Sequence, residues 1–248
     1  GADGRYTFSQ LLPGDYELTA ESAGFKGHFQ RGITLKASQS AAVDVMLQIG
    51  EVTQRVEIAE TSVQLDTQTA NQSVTLSRDM VLALPTNARN PMLLVHATAG
   101  VTAPGVGVTQ ATQDQNHDRF GLNGGRSTTT QVLLDGVSTT TGTGWNGLLY
   151  APSIDSVQEV QVIRNAYDAQ FGRSAGGTVS LVTKGGAADF HGTAYEFLRN
   201  SAMDATTWAN NRAGLKKPIF QRHQFGGNFS GPISRAKRIF FFGNYEAL

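Results

Sequence analysis

Residues 172–176 read Gly-Arg-Ser-Ala-Gly, and Gly172-x-Ser174-x-Gly176 has the spacing of the turn that presents a nucleophilic serine in many hydrolases. Asp189, His191, Asp204 and His223 follow it, in the chain order such a triad needs. The chemistry also needs a strand before the serine and a helix after it, so that the hydroxyl stands on a strained turn near oxyanion donors. The residues after Ser174 do not supply that helix. "GTVSLVT" (177–183) alternates and is β-branched, so the chain leaves the turn as a strand. Ser174 therefore reads as a turn residue, and a serine hydrolase at this position is a remote alternative.

The other chemistry-bearing strings fare similarly. Gly142-x-Gly144-x-x-Gly147 matches a dinucleotide-binding fingerprint, but "LLYAPS" follows and Pro152 cuts off the helix that would receive the pyrophosphate. Ser234-x-x-Lys237 lies beside Gly231-Pro232 and reads as a solvated turn. Asp114, His117 and Asp118 are metal-competent side chains, yet their spacing fits no recurring ligand set and their surroundings are those of a polar loop. No cofactor and no metal are expected. The 20 basic and 20 acidic residues cancel, so no global field attracts nucleic acid. The absence of cysteine excludes disulfides and thiolate metal sites. No apolar run approaches the length of a membrane-spanning helix. The sequence opens on Gly1 without methionine and stops at Leu248 inside an aromatic run, which reads as a piece of a longer chain.

The elements that must carry these residues fall into three grammars. Residues 1–50 alternate in short runs (Tyr6 and Phe8; Tyr16, Leu18 and Ala20; Ile33 and Leu35; Val43, Val45 and Leu47) separated by Asp3-Gly4, Pro13-Gly14 and Ala23-Gly24. Period-two alternation with such turns predicts a small antiparallel sandwich, here truncated. Residues 51–76 form a connector in which Glu51–Ile58 is polar and extended. From 77, Ser77 is placed to cap a short helix stopped by Pro85, and Asn90-Pro91 opens a second that ends at Gly100. Residues 101–118 read as loop. "QVLLDG" (131–136) is a buried strand entering an Asp135-Gly136 turn, Ser153 caps one helical turn, and "EVQVIR" (159–164) and "GGTVSLVTKGG" (176–186) are strands. Beyond Phe190 come runs of about ten alternating residues, the weak pattern of strands that cross a membrane. They set Thr193, Tyr195 and Phe197 on one face, and Phe225 and Phe229 on a face opposite Arg222, Gln224, Asn228 and Ser230.

Two resemblances follow from these residues. "DGRYTFSQLLPGDYELTAESAGF" resembles the carboxypeptidase regulatory-like domain, a transthyretin-like sandwich without peptidase chemistry. "LPTNARNPMLLVHATAGV" (84–101), "GLNGGRSTTTQVLLDG" (121–136), "SIDSVQEVQVIRNAYDAQFG" (153–172) and "AGGTVSLVTKGG" (175–186) resemble, in order, the plug domain of TonB-dependent outer-membrane receptors. The runs after Phe190 resemble the first barrel strands of the Oar-like members of that family.

The resemblance implies a mainly β fold with short helices: a partial sandwich over 1–50, a connector over 51–76, a plug over 77–186 and the first strands of an incomplete transmembrane β-barrel over 187–248. It implies a receptor that takes an unidentified small-molecule, oligosaccharide or peptide substrate across the outer membrane, with no covalent chemistry. Sandwich and plug lie on the periplasmic side, the barrel contacts outer-membrane lipid, and the TonB energy-transducing complex pulls on a segment ahead of the plug. Glu51, Val52, Val56 and Ile58 are candidates for that contact, by adding a strand to a partner's sheet edge. Arg126, Asp135, Gly136, Arg164, Gly172, Gly176, Gly177 and Lys184 are expected to build the plug, with Arg126 and Arg164 reaching carboxylates of the barrel wall. Asn123, Trp145 and Tyr150 are candidates for the apex where substrate arrives. The alternative is a surface-exposed β-domain protein whose sandwich binds carbohydrate or protein.

Overall fold

The computed structural model of the chain describes residues 4–9, 11, 13–36, 39–50, 55–59, 72–84, 89–102, 120–126, 129–139, 151–165, 172 and 174–248, with 55–59 and 165 described by backbone alone. Glu51, Val52, Asp114, His117, Asp118, Trp145 and Tyr150 lie outside the described residues.

The N-terminal sheet has the order β1 (Gly14–Ala20), β2 (Gly27–Leu35), β3 (Arg55–Ala59). β1 and β2 are antiparallel around the turn at Gly24, whose φ is 83°, and Phe29 and Ile33 of β2 are buried, on opposite faces because the ladder shifts register between them. The connector supplies β3, which runs parallel to β2 on its second edge. The alternating segments around Tyr6 and Val43–Leu47 do not form strands. They are tied instead by the Tyr6 hydroxyl donating to the Val43 carbonyl, by Lys26 N to Gln48 O (2.8 Å) and by one bridge between Phe25 and Ile49. Partial burial, with Asp44 nearby, raises the Tyr6 pKa above its usual value, so the hydroxyl stays protonated and able to donate.

The central sheet holds β4 (Gln72–Ser77), β7 (Thr130–Leu134), β8 (Val137–Ser138), β9 (Val157–Asn165) and β10 (Gly177–Thr183), in the order β4-β9-β10-β7-β8. Only the β10–β7 pair is parallel. Most of β4 falls in the expected connector, and Val74 and Leu76 carry its alternation. A small pair, β5 (Val101–Thr102) and β6 (Gly121–Leu122), lies beside this sheet. Its apolar face packs against α1 (Arg78–Ala83) and α2 (Met92–Val95), where Val81, Met92, Leu94, Val95, Phe120 and Leu122 meet Val132, Val160, Val162, Val179 and Leu181. Burial of about a dozen such side chains, at roughly 1.5–3 kcal/mol each before the entropy of ordering, makes this the molecule's main core. Ser77 precedes α1 but its side chain makes no cap bond. Asn90 Oδ1, by contrast, accepts from Met92 N at 2.9 Å and caps the turn opened by Pro91.

The third sheet is β11 (His191–Asn200), β12 (Gln221–Ser234) and β13 (Ile239–Ala247), all antiparallel. Residues 201–220, with α3 (Trp208–Arg212), join β11 to β12, and a four-residue turn, 235–238, joins β12 to β13. Register fixes its two faces. Tyr195 pairs with Gly226 and Gly226 with Glu246, so Tyr195, Phe197, Gln224, Asn228, Ser230, Asn244 and Glu246 share one face. Ala194, Glu196, Leu198, Phe225, Phe229, Phe241 and Tyr245 share the other. Glycines opposite the rings let them lie flat on the strands. A Cβ on Gly231 would stand 2.1 Å from the Phe190 ring, and one on Gly226 would stand 2.7 Å from Tyr195 Oη.

Candidate functional site

The third sheet meets the central one at a corner made of Arg89, the 3₁₀ turn Ile154–Ser156 and the inner face of β11–β13. Ser153 opens that turn. Its Oγ accepts from Asp155 N at 3.3 Å, as a cap should, and Ser156 Oγ donates to Ser153 O at 2.7 Å. The same Ser153 hydroxyl also reaches across to the third sheet, 3.3 Å from Tyr195 Oη and 3.3 Å from Glu246 Oε2, while Tyr195 Oη donates to Glu246 Oε2 at 2.9 Å. One serine, one phenol and one carboxylate, from three separate elements, converge here, with both hydroxyls placed to donate to the carboxylate.

Arg89 completes the corner. Its φ of 53° is the left-handed conformation, uncommon outside glycine, and it stands immediately before the Asn90-Pro91 cap. Its guanidinium pairs with the Asp155 carboxylate, the side chains being 20% and 13% exposed. The same guanidinium lies 4.0 Å from the Phe197 ring centroid and 5.1 Å from that of Tyr195. A planar cation is suited to this double duty, bonding a carboxylate in its plane and stacking on rings by its face. Lys184 adds a looser contact, with Nζ 5.8 Å from the Phe242 ring. All these contacts are reversible: polar or cation–π, and made between elements.

The remaining candidates serve the central sheet. Asp135 (φ 49°) and Gly136 (φ 80°) make the left-handed turn between β7 and β8. The Asp135 carboxylate also accepts from Thr183 N and Thr183 Oγ1, both at 2.8 Å, closing the end of β10. Arg164 Nη1 donates to Ala99 O at 3.3 Å, and Asn123 Nδ2 donates to Arg164 O at 2.8 Å, so this arginine is held by backbone of the central domain. Among the described residues neither Arg164 nor the exposed Arg126 forms an ion pair with a carboxylate of the third sheet. Asn123 sits exposed in a left-handed turn between β6 and β7. A Cβ on Gly177 (φ 129°) would fall 2.6 Å from Ile163 O and 2.7 Å from Leu122 Cδ1, and one on Gly176 2.9 Å from Thr129 Oγ1, whereas Gly172 faces open space. Ser174 Oγ accepts from Gly177 N at 3.0 Å, donates to Gly177 O and lies 3.3 Å from Thr178 Oγ1. The would-be triad partners are engaged elsewhere: His191 with Ser230 (3.1 Å) and His223 with Glu196 (3.3 Å).

Sequence patterns alone missed Arg89, Asp155 and Glu246 as a group. Ser153 was legible as a cap, but nothing in a capping serine shows that it also faces another sheet. Tyr195 and Phe197 were legible as one face of β11, and the pattern of an apolar outside would have turned that face to lipid. The structure turns it inward, because these rings are the platform for Arg89.

Three family models match in succession: the carboxypeptidase regulatory-like domain over residues 1–48, the TonB-dependent receptor plug domain over 66–179 and an outer-membrane β-barrel domain over 182–248. In that order these are the parts of a TonB-dependent outer-membrane receptor, and together they cover almost the whole chain. Its sequence is 28% identical over 252 residues to the TonB-dependent transporter Oar of Myxococcus xanthus, covering 98% of this chain and 23% of that protein. The chain thus spans about a quarter of the length of this relative. Among solved structures, the outer-membrane transporter YddB of Escherichia coli matches 65% of this chain and 24% of its own, with a TM-score of 0.50 and 17% identity. The siderophore receptor PirA of Acinetobacter baumannii matches 70% of this chain and 24% of its own, with a TM-score of 0.49 and 21% identity. At such identities the likeness to YddB speaks of fold alone. The central domain is the plug, the third sheet is the start of the barrel wall, and the receptor belongs in the outer membrane.

Proposed function

We propose that the full-length receptor takes up a small molecule, oligosaccharide or peptide across the outer membrane, with the plug gating the barrel and TonB supplying the pull. The observation that carries this is the plug–wall corner. A plug that must stay shut and then open needs contacts strong enough to hold and weak enough to release. The Arg89–Asp155 pair stacked on Tyr195 and Phe197 supplies a few kilocalories of such hold, on the scale of about 0.5–2 kcal/mol for each cation–π contact.

In this reading the sandwich and plug face the periplasm. TonB is met by Glu51, Val52, Val56 and Ile58. The backbone of β3, which carries Val56 and Ile58, is an edge strand of its sheet, so its outer side offers N–H and C=O groups to an added strand. Substrate arrives at the apex near Asn123, with Trp145 and Tyr150 as further contacts. The experiment compares solutes consumed from the medium by cells with the receptor, without it, and without TonB. Uptake predicts at least one solute whose depletion needs both. If no solute depends on either, and cells lacking the receptor instead lose surface attachment, the receptor is an adhesion protein.

A further inference from the structure

We propose that the connection between β11 and β12, residues 201–220, is a membrane-surface anchor that seats on phosphate-bearing lipid headgroups of the outer leaflet. The proposal rests on the wall's place in the outer membrane and not on transport. The outward face of β12 reads Gln221, His223, Phe225, Gly227, Phe229 and Gly231, reaching Ile233 at the bulge before the short turn. From Ile233 to His223 is ten positions, which at about 3.3 Å rise and roughly 40° tilt spans about 25 Å, the height of a barrel's apolar band. At the upper rim of that band the polar outward residues begin, with the exposed Glu196–His223 pair at 3.3 Å. The connection starts a few positions higher, at headgroup depth. Its 20 residues, against four in the turn at the other end, mark it as the outer side, where barrel loops are long.

The connection is held in shape. Thr207 Oγ1 accepts from Asn210 N at 3.3 Å and caps α3, and Gly214 (φ 65°) ends it with Leu215 N bonded to Asn210 O at 2.9 Å. Lys217 Nζ donates to Asp204 O at 2.9 Å, and Ser201 N bonds Phe220 O at 2.8 Å to close the base. Yet this ordered piece buries none of its large apolar side chains. Trp208 is 73% and Ile219 90% exposed, and Met203 and Leu215 stand out with them. Ile219 also continues the alternation of Gln221, His223 and Phe225, away from the inner face that meets the plug. Beside these apolar groups are Arg212, stacked on Trp208 at 5.1 Å, with Lys216 and Lys217. The one acid, Asp204, already has Arg199 at 3.7 Å. An indole, exposed aliphatic side chains and three cations at headgroup depth match an interface that is apolar below and anionic at its surface.

The test uses the full-length receptor, reconstituted in phosphatidylcholine vesicles with or without a bis-phosphorylated glucosamine lipid. A fluorophore is placed by Trp208→Cys, and contact is read by a quencher carried on lipid headgroups and by a water-soluble one. Headgroup quenching is expected to rise at least about twofold with the phosphorylated lipid. Raising salt should remove most of that rise, and so should R212Q/K216Q/K217Q on the same background. The salt arm reads the charge contribution even if the triple variant fails to assemble. A label reached only by the aqueous quencher, one shielded from both by neighbouring loops, or a rise indifferent to salt would each overturn the anchor.

Discussion

Two serines of the plug sit at turns within four residues of a strand, and they use their hydroxyls in opposite ways. Ser174 closes on itself, both accepting from and donating to Gly177 three residues on, so the turn stays within the plug. Ser153 caps its own 3₁₀ turn and still holds its hydroxyl against Tyr195 and Glu246 of the wall, donating to the Glu246 carboxylate. The hydroxyl that looked chemical in sequence is structural, and the one that looked like a routine cap joins two domains. A motif says how a residue is displayed along the chain, whereas its work depends on what the fold brings opposite it.

The contrast can be broken from either side. The largest effect belongs to the closed turn. Gly177→Val would force a side chain into Ile163 O and Leu122 at a left-handed φ, and should cost the plug more than about 3 kcal/mol, read as loss of folded plug in urea titrations of the full-length receptor. Next comes the open corner. Arg89→Ala leaves the Asp155 carboxylate without its partner in a mostly buried place and removes both ring contacts, at a total cost of about 2–3 kcal/mol, of which the ion pair is lost from plug stability and the ring contacts from plug retention. Arg89→Lys should recover less than half of that, because an ammonium cannot bond and stack in one plane.

The two serine variants sharpen the comparison directly. Ser174→Ala and Ser153→Ala should each cost about 1 kcal/mol, the scale of one lost hydrogen bond. They should differ in what they move: Ser174→Ala shifts plug unfolding alone, whereas Ser153→Ala, which loses its cap as well as its wall contacts, also shifts release of a still-folded plug from the wall. If both variants shifted both quantities alike, the distinction between closed and open turns would be empty. Smallest is Tyr6→Phe in the N-terminal sheet, about 1 kcal/mol or less and without effect on plug retention.

What could be read in advance follows the same line. β1, β2, β7, β9, β10 and the three wall strands announce themselves by alternation and by turn residues such as Asp135-Gly136, because those signals are local. β4 and β3 were harder, since each is a short run made into a strand by a partner far along the chain. The segments around Tyr6 and Val43–Leu47 failed in the opposite sense: their alternation is real, but they are tied to the sheet by single contacts and not by a ladder. The corner was the least legible part. Its members come from positions 89, 153, 155, 195, 197 and 246, and only tertiary placement gives them a common purpose. Arg164 shows the same limit, being a plug arginine that spends itself on the Ala99 carbonyl.

The central claim is that the Ser153–Arg89 corner must leave the wall before substrate can pass. It is tested by Ser153→Cys with Glu246→Cys in the full-length receptor, joined by a short, reducible bis-methanethiosulfonate bridge. The account predicts that bridged receptor stops TonB-driven uptake of the depleted solute and that dithiothreitol restores it. Uptake at the unmodified rate with the bridge intact would contradict it.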